Sequence, residues 1–140
     1  MVTRSATGTA GGWGVVPLRL VVGLVFLVHG TQKLFVFGAG GTAAFLGELG
    51  IPLPSLTATV LIAVEFLGGL ALLVGFFTRW VAALLAINML VAILTVHAKG
   101  GFFVPDGVEF VLTLFGANLS LVLLGSGAAS VDEVLERRSA

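Results

Sequence analysis

Few side chains in this 140-residue chain can exchange a proton, hold a charge or bind an ion, and several of those that can lie within apolar surroundings. Arg19, His29, Gln32 and Lys33 interrupt an apolar stretch at 18–37, and Glu65 stands at the middle of a second at 56–77. Asn88 sits at the centre of a third, 80–96, with His97 at its end, and Glu109 opens a fourth, 108–124. A charge in mid-membrane costs at least a few kcal/mol unless it is paired, hydrated or able to reach the interface. The partners of these residues are therefore the first question, and depth sorts them into two groups. The inner group is Arg19, Glu65 and Asn88; the outer is His29, Gln32, Lys33, His97 and Glu109.

In the inner group the spacing predicts a buried ion pair between Arg19 and Glu65, because an extended arginine in the lower half of one helix approaches a carboxylate at the middle of the next. Such a pair either fixes helix register or forms a proton or anion site, in which Glu65 exchanges a proton and Arg19 holds a negative group. Asn88, a lone amide, is expected to hydrogen-bond a neighbouring helix. In the outer group, two histidines and a carboxylate near one level suit a metal, a b-type haem or the carbonyls of a quinone. The histidines lie on separate helices with no H-E-x-x-H spacing, so no metal site is predicted. A quinone headgroup asks only for a few donors beside an apolar cleft. The expectation is a polar mouth of His29, Lys33, His97 and Glu109, with Phe26, Phe102 and Phe103 as walls; the plain alternative is a set of interfacial residues facing water. The glycines at 38–41 lack the lysine and hydroxyl residue of a phosphate loop, and no serine or threonine lies in a nucleophile motif.

The elements that must position these residues are membrane helices. Hydrophobic residues make up 58% of the chain and charged residues 10%, with mean hydropathy +1.16 and zero formal net charge. Scattered basic residues argue against nucleic acid. With no cysteine, the chain holds no disulfide, thiol relay, thiolate-bound cluster or covalent haem. About 20 residues at 1.5 Å each cross a hydrocarbon core of roughly 30 Å. In the first stretch Arg19, Gly23, Phe26, Gly30 and Lys33 fall within about 40° of one line, leaving Leu20, Val21, Leu24, Val28 and Phe35 elsewhere. In the fourth, Glu109, Thr113, Gly116 and Ser120 share a face opposite Asn118.

Residues 1–14 read as a small, glycine-rich flexible tail, 15–125 as the transmembrane domain and 126–140 as a polar tail with a capped helical turn or two after Ser130. A cleaved signal peptide is disfavoured, since polar residues interrupt the first apolar run. Between the first two spans, 42–49 suits a short interfacial helix capped by Thr42. The fold expected is all-α, an antiparallel bundle of four transmembrane helices with that short helix after the first. Arg4, Arg79, Arg137 and Arg138 lie at the end of the termini, and Lys33 and Lys99 at the other, so the positive-inside rule places both termini in the cytoplasm of a multi-pass inner (plasma) membrane protein.

The pattern R-L-x-x-G-x-x-F-x-x-H-G-x-x-K-L over 19–34, E-F-x-G-G-x-x-L-x-x-G-x-x-T-R over 65–79, Asn88-Met89, His97, Gly107-x-Glu109 and a closing Asp132 together resemble the DoxX family of small membrane proteins, over about residues 17–133. The resemblance implies four transmembrane helices and a link to quinone-dependent thiosulfate oxidation or to membrane complexes that handle oxidative or thiol stress, although most members have no established activity. It favours a membrane subunit that couples a soluble redox partner protein to the quinone pool, with the lipid bilayer and a second copy of the chain as further partners. A carrier or channel for a small solute or proton through Arg19 and Glu65, and a structural membrane anchor, stay open beside it.

Overall fold

Glycine and proline set the boundaries of the helices. The computed structural model describes residues 10–139, and among these the regular structure is wholly helical, with no strand. Helix α1 (Ala10–Thr31) passes into a π-helical stretch, Gln32–Phe37, and then into α2 (Gly38–Glu48). Helices α3 (Pro54–Val74) and α4 (Thr78–Ala92) follow; α4 ends in a second π-helical stretch, Ile93–His97. Helix α5 (Glu109–Leu124) and the short α6 (Val131–Ser139) complete the chain. Gly75 lies in the left-handed region (φ 69°), where the Phe76 and Gly75 amides donate to the carbonyls of Ala71 and Leu72 and close α3 in a Schellman turn.

Among the described residues three helical stretches are long and apolar enough to cross a membrane: Ala10–Glu48, Pro54–Val74 and Thr78–His97. The first is not one rod. Gly38 at φ 70°, ψ 167° breaks the helical path, so α2 leaves α1 at a bend and packs on α3. Apolar α5 has 16 residues, about 24 Å of helix.

Helix α1 packs most extensively on α3, and α4 on α5. A Cβ on Gly23 would meet Leu72 and Leu73, and one on Gly30 would lie 2.5 Å from the Phe66 amide nitrogen, so α1 and α3 run in opposite directions in backbone contact. Gly69 answers from α3, where a Cβ would collide with the Leu27 backbone. Bare glycine on both sides is what permits this approach in lipid, where packing rather than water expulsion holds helices together. Around the crossing lies one apolar core of Val15, Val22, Phe26, Leu72, Ala82, Leu85, Met89, Val111, Leu114 and Leu121. The stripe Arg19, Gly23, Phe26 and Gly30 faces inward, while Leu20, Val21, Leu24, Val28 and Phe35 face outward.

Two expectations are corrected. The helix expected at 42–49 begins at Gly38, and Thr42 is no cap: it is buried, with its hydroxyl donating to the Gly38 carbonyl at 3.0 Å. On α5, as expected, Thr113 and Gly116 lie opposite Asn118; they face outward and Asn118 is fully buried. Residues 10–14, read as tail, are the first turn of α1; the remainder of that tail, 1–9, lies outside the described residues. The turn after Ser130 is α6, where Ser130 Oγ accepts the Glu133 amide at 3.1 Å and the Glu133 carboxylate accepts the Ala129 amide at 2.9 Å.

Candidate functional site

The antiparallel crossing of α1 and α3 decides which charges meet. Gly30 lies against Glu65 and Phe66, so Glu65 stands level with the upper part of α1. Arg19 is eleven residues lower on that helix, about 16 Å by helical rise, beyond the reach of its side chain. The expected Arg19–Glu65 pair does not form. Lys33 lies one turn above Gly30 and takes the place of the arginine: its ammonium Nζ donates to Glu65 Oε2 at 2.6 Å. Asn88 on α4 donates through Nδ2 to Glu65 Oε1 at 2.9 Å. The carboxylate thus receives one charged and one neutral donor, from two different helices, while its residue remains only 4% exposed.

Lys33 is the second residue of the π stretch. A π turn bonds i to i+5 and so turns later side chains away from the α-helical line; such turns recur at functional sites. His29, one turn before Lys33, is exposed, and its ring lies 6.1 Å from that of Phe110 at an interplanar angle of 37°. Gln32 is exposed nearby in sequence.

The other two residues of the expected mouth are engaged by the connection between α4 and α5. His97 Nδ1 lies 2.9 Å from the Asp106 carbonyl oxygen, and Glu109 Oε1 accepts the Val104 amide at 2.7 Å. His29, Lys33, His97 and Glu109 share the end of the molecule opposite the termini, because they stand at the ends of α1 and α4 and the start of α5. The structure joins Lys33 to Glu65 and His29 to the aromatic neighbour of Glu109, and gives His97 and Glu109 backbone partners in the connecting loop. Among the described residues no three histidine, aspartate or glutamate side chains are grouped to hold a metal ion.

At the opposite end Arg19 is 2% exposed. Its guanidinium donates to the carbonyls of Ser126 at 2.6 Å, Ala129 at 3.0 Å and Ala128 at 3.4 Å. Residues 126–130 are thus drawn under the first helix, and Asp132 follows. Asp132 Oδ1 and Oδ2 accept the amides of Phe77 (2.8 Å) and Thr78 (2.9 Å), a cap for α4 supplied by a residue more than 50 positions away. Arg79 donates to the carbonyls of Val122 and Leu123 at 2.7 and 2.9 Å, closing the last turn of α5. The residues that sequence reasoning assigned no role here were Asp132 and the carbonyls at 126–129; only the closing position of Asp132 in the motif order signalled the first.

Known proteins resemble the chain that carries this arrangement. A Bacillus subtilis (strain 168) protein named "Putative oxidoreductase CatD" is 37% identical over 119 residues, 85% of this chain and 84% of that one. Two Escherichia coli (strain K12) proteins are also similar: "Inner membrane protein YphA", 32% identical over 81% of this chain and 84% of its own, and "Inner membrane protein YqjF", 31% identical over 89% and 94%. No solved structure matches the chain. The DoxX family model matches residues 14–98, a stretch that holds Arg19, His29, Lys33, Glu65, Asn88 and His97, and the chain belongs to the DoxX family of membrane proteins.

Proposed function

We propose that this protein is the membrane subunit of a quinone-linked redox system, a four-span antiparallel bundle in the inner membrane with both termini in the cytoplasm and α2 lying at the opposite interface. The observation that carries the proposal is the buried Glu65 carboxylate, held by Asn88 at 2.9 Å and by Lys33 at 2.6 Å, the lysine lying one turn from the exposed His29. Ionisable groups at membrane depth are costly and mark proton or ligand paths. A flat headgroup fits beside His29, whose imidazole offers a donor at the protein surface and whose neighbour Phe110 offers an aromatic edge. A bound quinone would supply two-electron, two-proton chemistry, with the electrons coming from a soluble redox protein.

The residues of the chain then divide the remaining work. His29 donates a hydrogen bond to a carbonyl and orients the ring. Lys33 and Glu65 hold a proton between them close by, and Asn88 fixes the carboxylate so that Oε2 faces the ammonium. His97 and Glu109 shape the rim through the loop they brace. The name of the Bacillus subtilis relative, "Putative oxidoreductase CatD", agrees with this reading.

The test is direct. Lipid extracts of the purified protein should contain an isoprenoid quinone by mass spectrometry, and His29→Ala should weaken binding of a short-chain quinone about tenfold, as loss of one hydrogen bond worth about 1.4 kcal/mol implies. Thr113→Val, on the outward face of α5, should leave binding unchanged. Equal affinity in all three proteins would refute the site, and proton or solute flux in liposomes that depends on Glu65 would replace it with a carrier.

A further inference from the structure

The loop between α4 and α5 carries a second message. Its residues Phe102, Phe103 and Val104 are 53%, 76% and 56% exposed, the largest run of outward apolar side chains outside a helix. At the other end of the same helix pair, Arg79 of α4 bonds the carbonyls of Val122 and Leu123 and so ties the start of α4 to the end of α5. With its π stretch α4 runs for 20 residues, Thr78–His97, whereas α5 has 16. The shortfall of four residues, about 6 Å or one helical turn, is left at the top of α5. The loop fills it, because the bond between His97 Nδ1 and the Asp106 carbonyl holds the loop against the last turn of α4.

Irregular backbone survives at that depth only if its polar groups are satisfied within the protein. Four amides at 104–109 find acceptors on the loop or on Glu109. The Val108 amide donates to Gly101 O at 3.0 Å, the Glu109 amide to Phe102 O at 2.8 Å and the Gly107 amide to Phe103 O at 2.8 Å. The Val104 amide donates to the Glu109 carboxylate. Winding is so tight that a Cβ at Gly100 would strike the Asp106 carbonyl, and one at Gly107 the backbone of Phe102. Polar groups turned in and aromatic groups turned out is the reverse of an aqueous loop.

We propose that residues 101–105 are embedded in the bilayer, with Phe102, Phe103 and Val104 against the acyl chains of the leaflet remote from the termini, so that the loop completes the span that α5 leaves short. The apolar surface they form continues that of the membrane helices. The occupant is the lipid chain itself, and the inference stands on the membrane placement alone, apart from any quinone.

Depth-dependent fluorescence tests it. In the Trp13→Phe, Trp80→Phe protein, a single Phe103→Trp reporter is placed in phosphatidylcholine vesicles, with Ser139→Trp as the reference. Emission from position 103 should lie to the blue of the reference, be quenched by lipids brominated on the acyl chain, and be at least fivefold less sensitive to aqueous iodide. Phe102→Trp should behave in the same way and serves where the first reporter does not fold. Iodide quenching at 102 and 103 as strong as at 139, with no quenching by acyl-chain bromine, would overturn the proposal and make the loop a water-facing surface.

Discussion

Replacing Lys33 by methionine leaves the Glu65 carboxylate, 5% exposed in its side chain, with Asn88 as its remaining donor. Replacing Glu65 by glutamine instead leaves the Lys33 ammonium, which is 21% exposed and sits on a flexible stem that bends toward the interface. The two halves of one ion pair therefore carry unequal penalties. Breaking a dry buried pair costs about 3–5 kcal/mol. Lys33→Met belongs at the lower end of that range, about 3 kcal/mol, because Asn88 remains as a donor to the carboxylate. Glu65→Gln should cost about 1–2 kcal/mol, the price of a lost charged hydrogen bond whose partner regains solvent. The double variant should lose less than the sum of the singles, by a coupling of about 1–3 kcal/mol. Reversible unfolding in mixed micelles, followed by the fluorescence of Trp13 and Trp80, gives all three values. Strictly additive losses, or a costlier Glu65→Gln, would refute the reasoning.

Arg19→Leu and Glu65→Gln, which share no partner, should be additive within about 0.5 kcal/mol in the same assay. Asp132→Ala should cost about 1–2 kcal/mol by uncapping α4, since it strips the Phe77 and Thr78 amides of their acceptor. Gly69→Leu should abolish folding by forcing a side chain into the Leu27 backbone, whereas Gly116→Ala, where a Cβ meets nothing within 4 Å, should fold normally by circular dichroism and size exclusion. Glu109→Ala should lower stability by about 1–3 kcal/mol, because the Val104 amide loses its acceptor.

Much of this was legible in the residues. Apolar runs located the helices, Gly75 and Pro54 marked where α3 ends and begins, and the spacing of Gly23, Phe26 and Gly30 gave the buried face of α1. Relative height was not legible. Whether Glu65 meets Arg19 or Lys33 depends on how far α3 slides along α1, and that is set by where Gly30 admits the Phe66 backbone. The π stretch that carries Lys33 leaves no mark in hydrophobic periodicity. For His97 and Glu109, the side-chain types were read as ligands for a small molecule, yet amide and carbonyl groups of the loop 98–108 need the same donors and acceptors. A sequence displays the side chains and hides the backbone groups that compete for them.

The buried guanidinium also imposes an order on how the protein is made. Arg19 enters the membrane with the first helix, but its acceptors belong to Ser126, Ala128 and Ala129, more than a hundred residues later. Throughout synthesis of the intervening helices the charge must be met by water or lipid headgroups. A chain ending at Leu124 would contain every apolar helix and still lack the carbonyls that Arg19 requires. Residues made after the last apolar helix are thus the ones that seal the first, and a chain cut before Ser126 leaves its arginine unsealed.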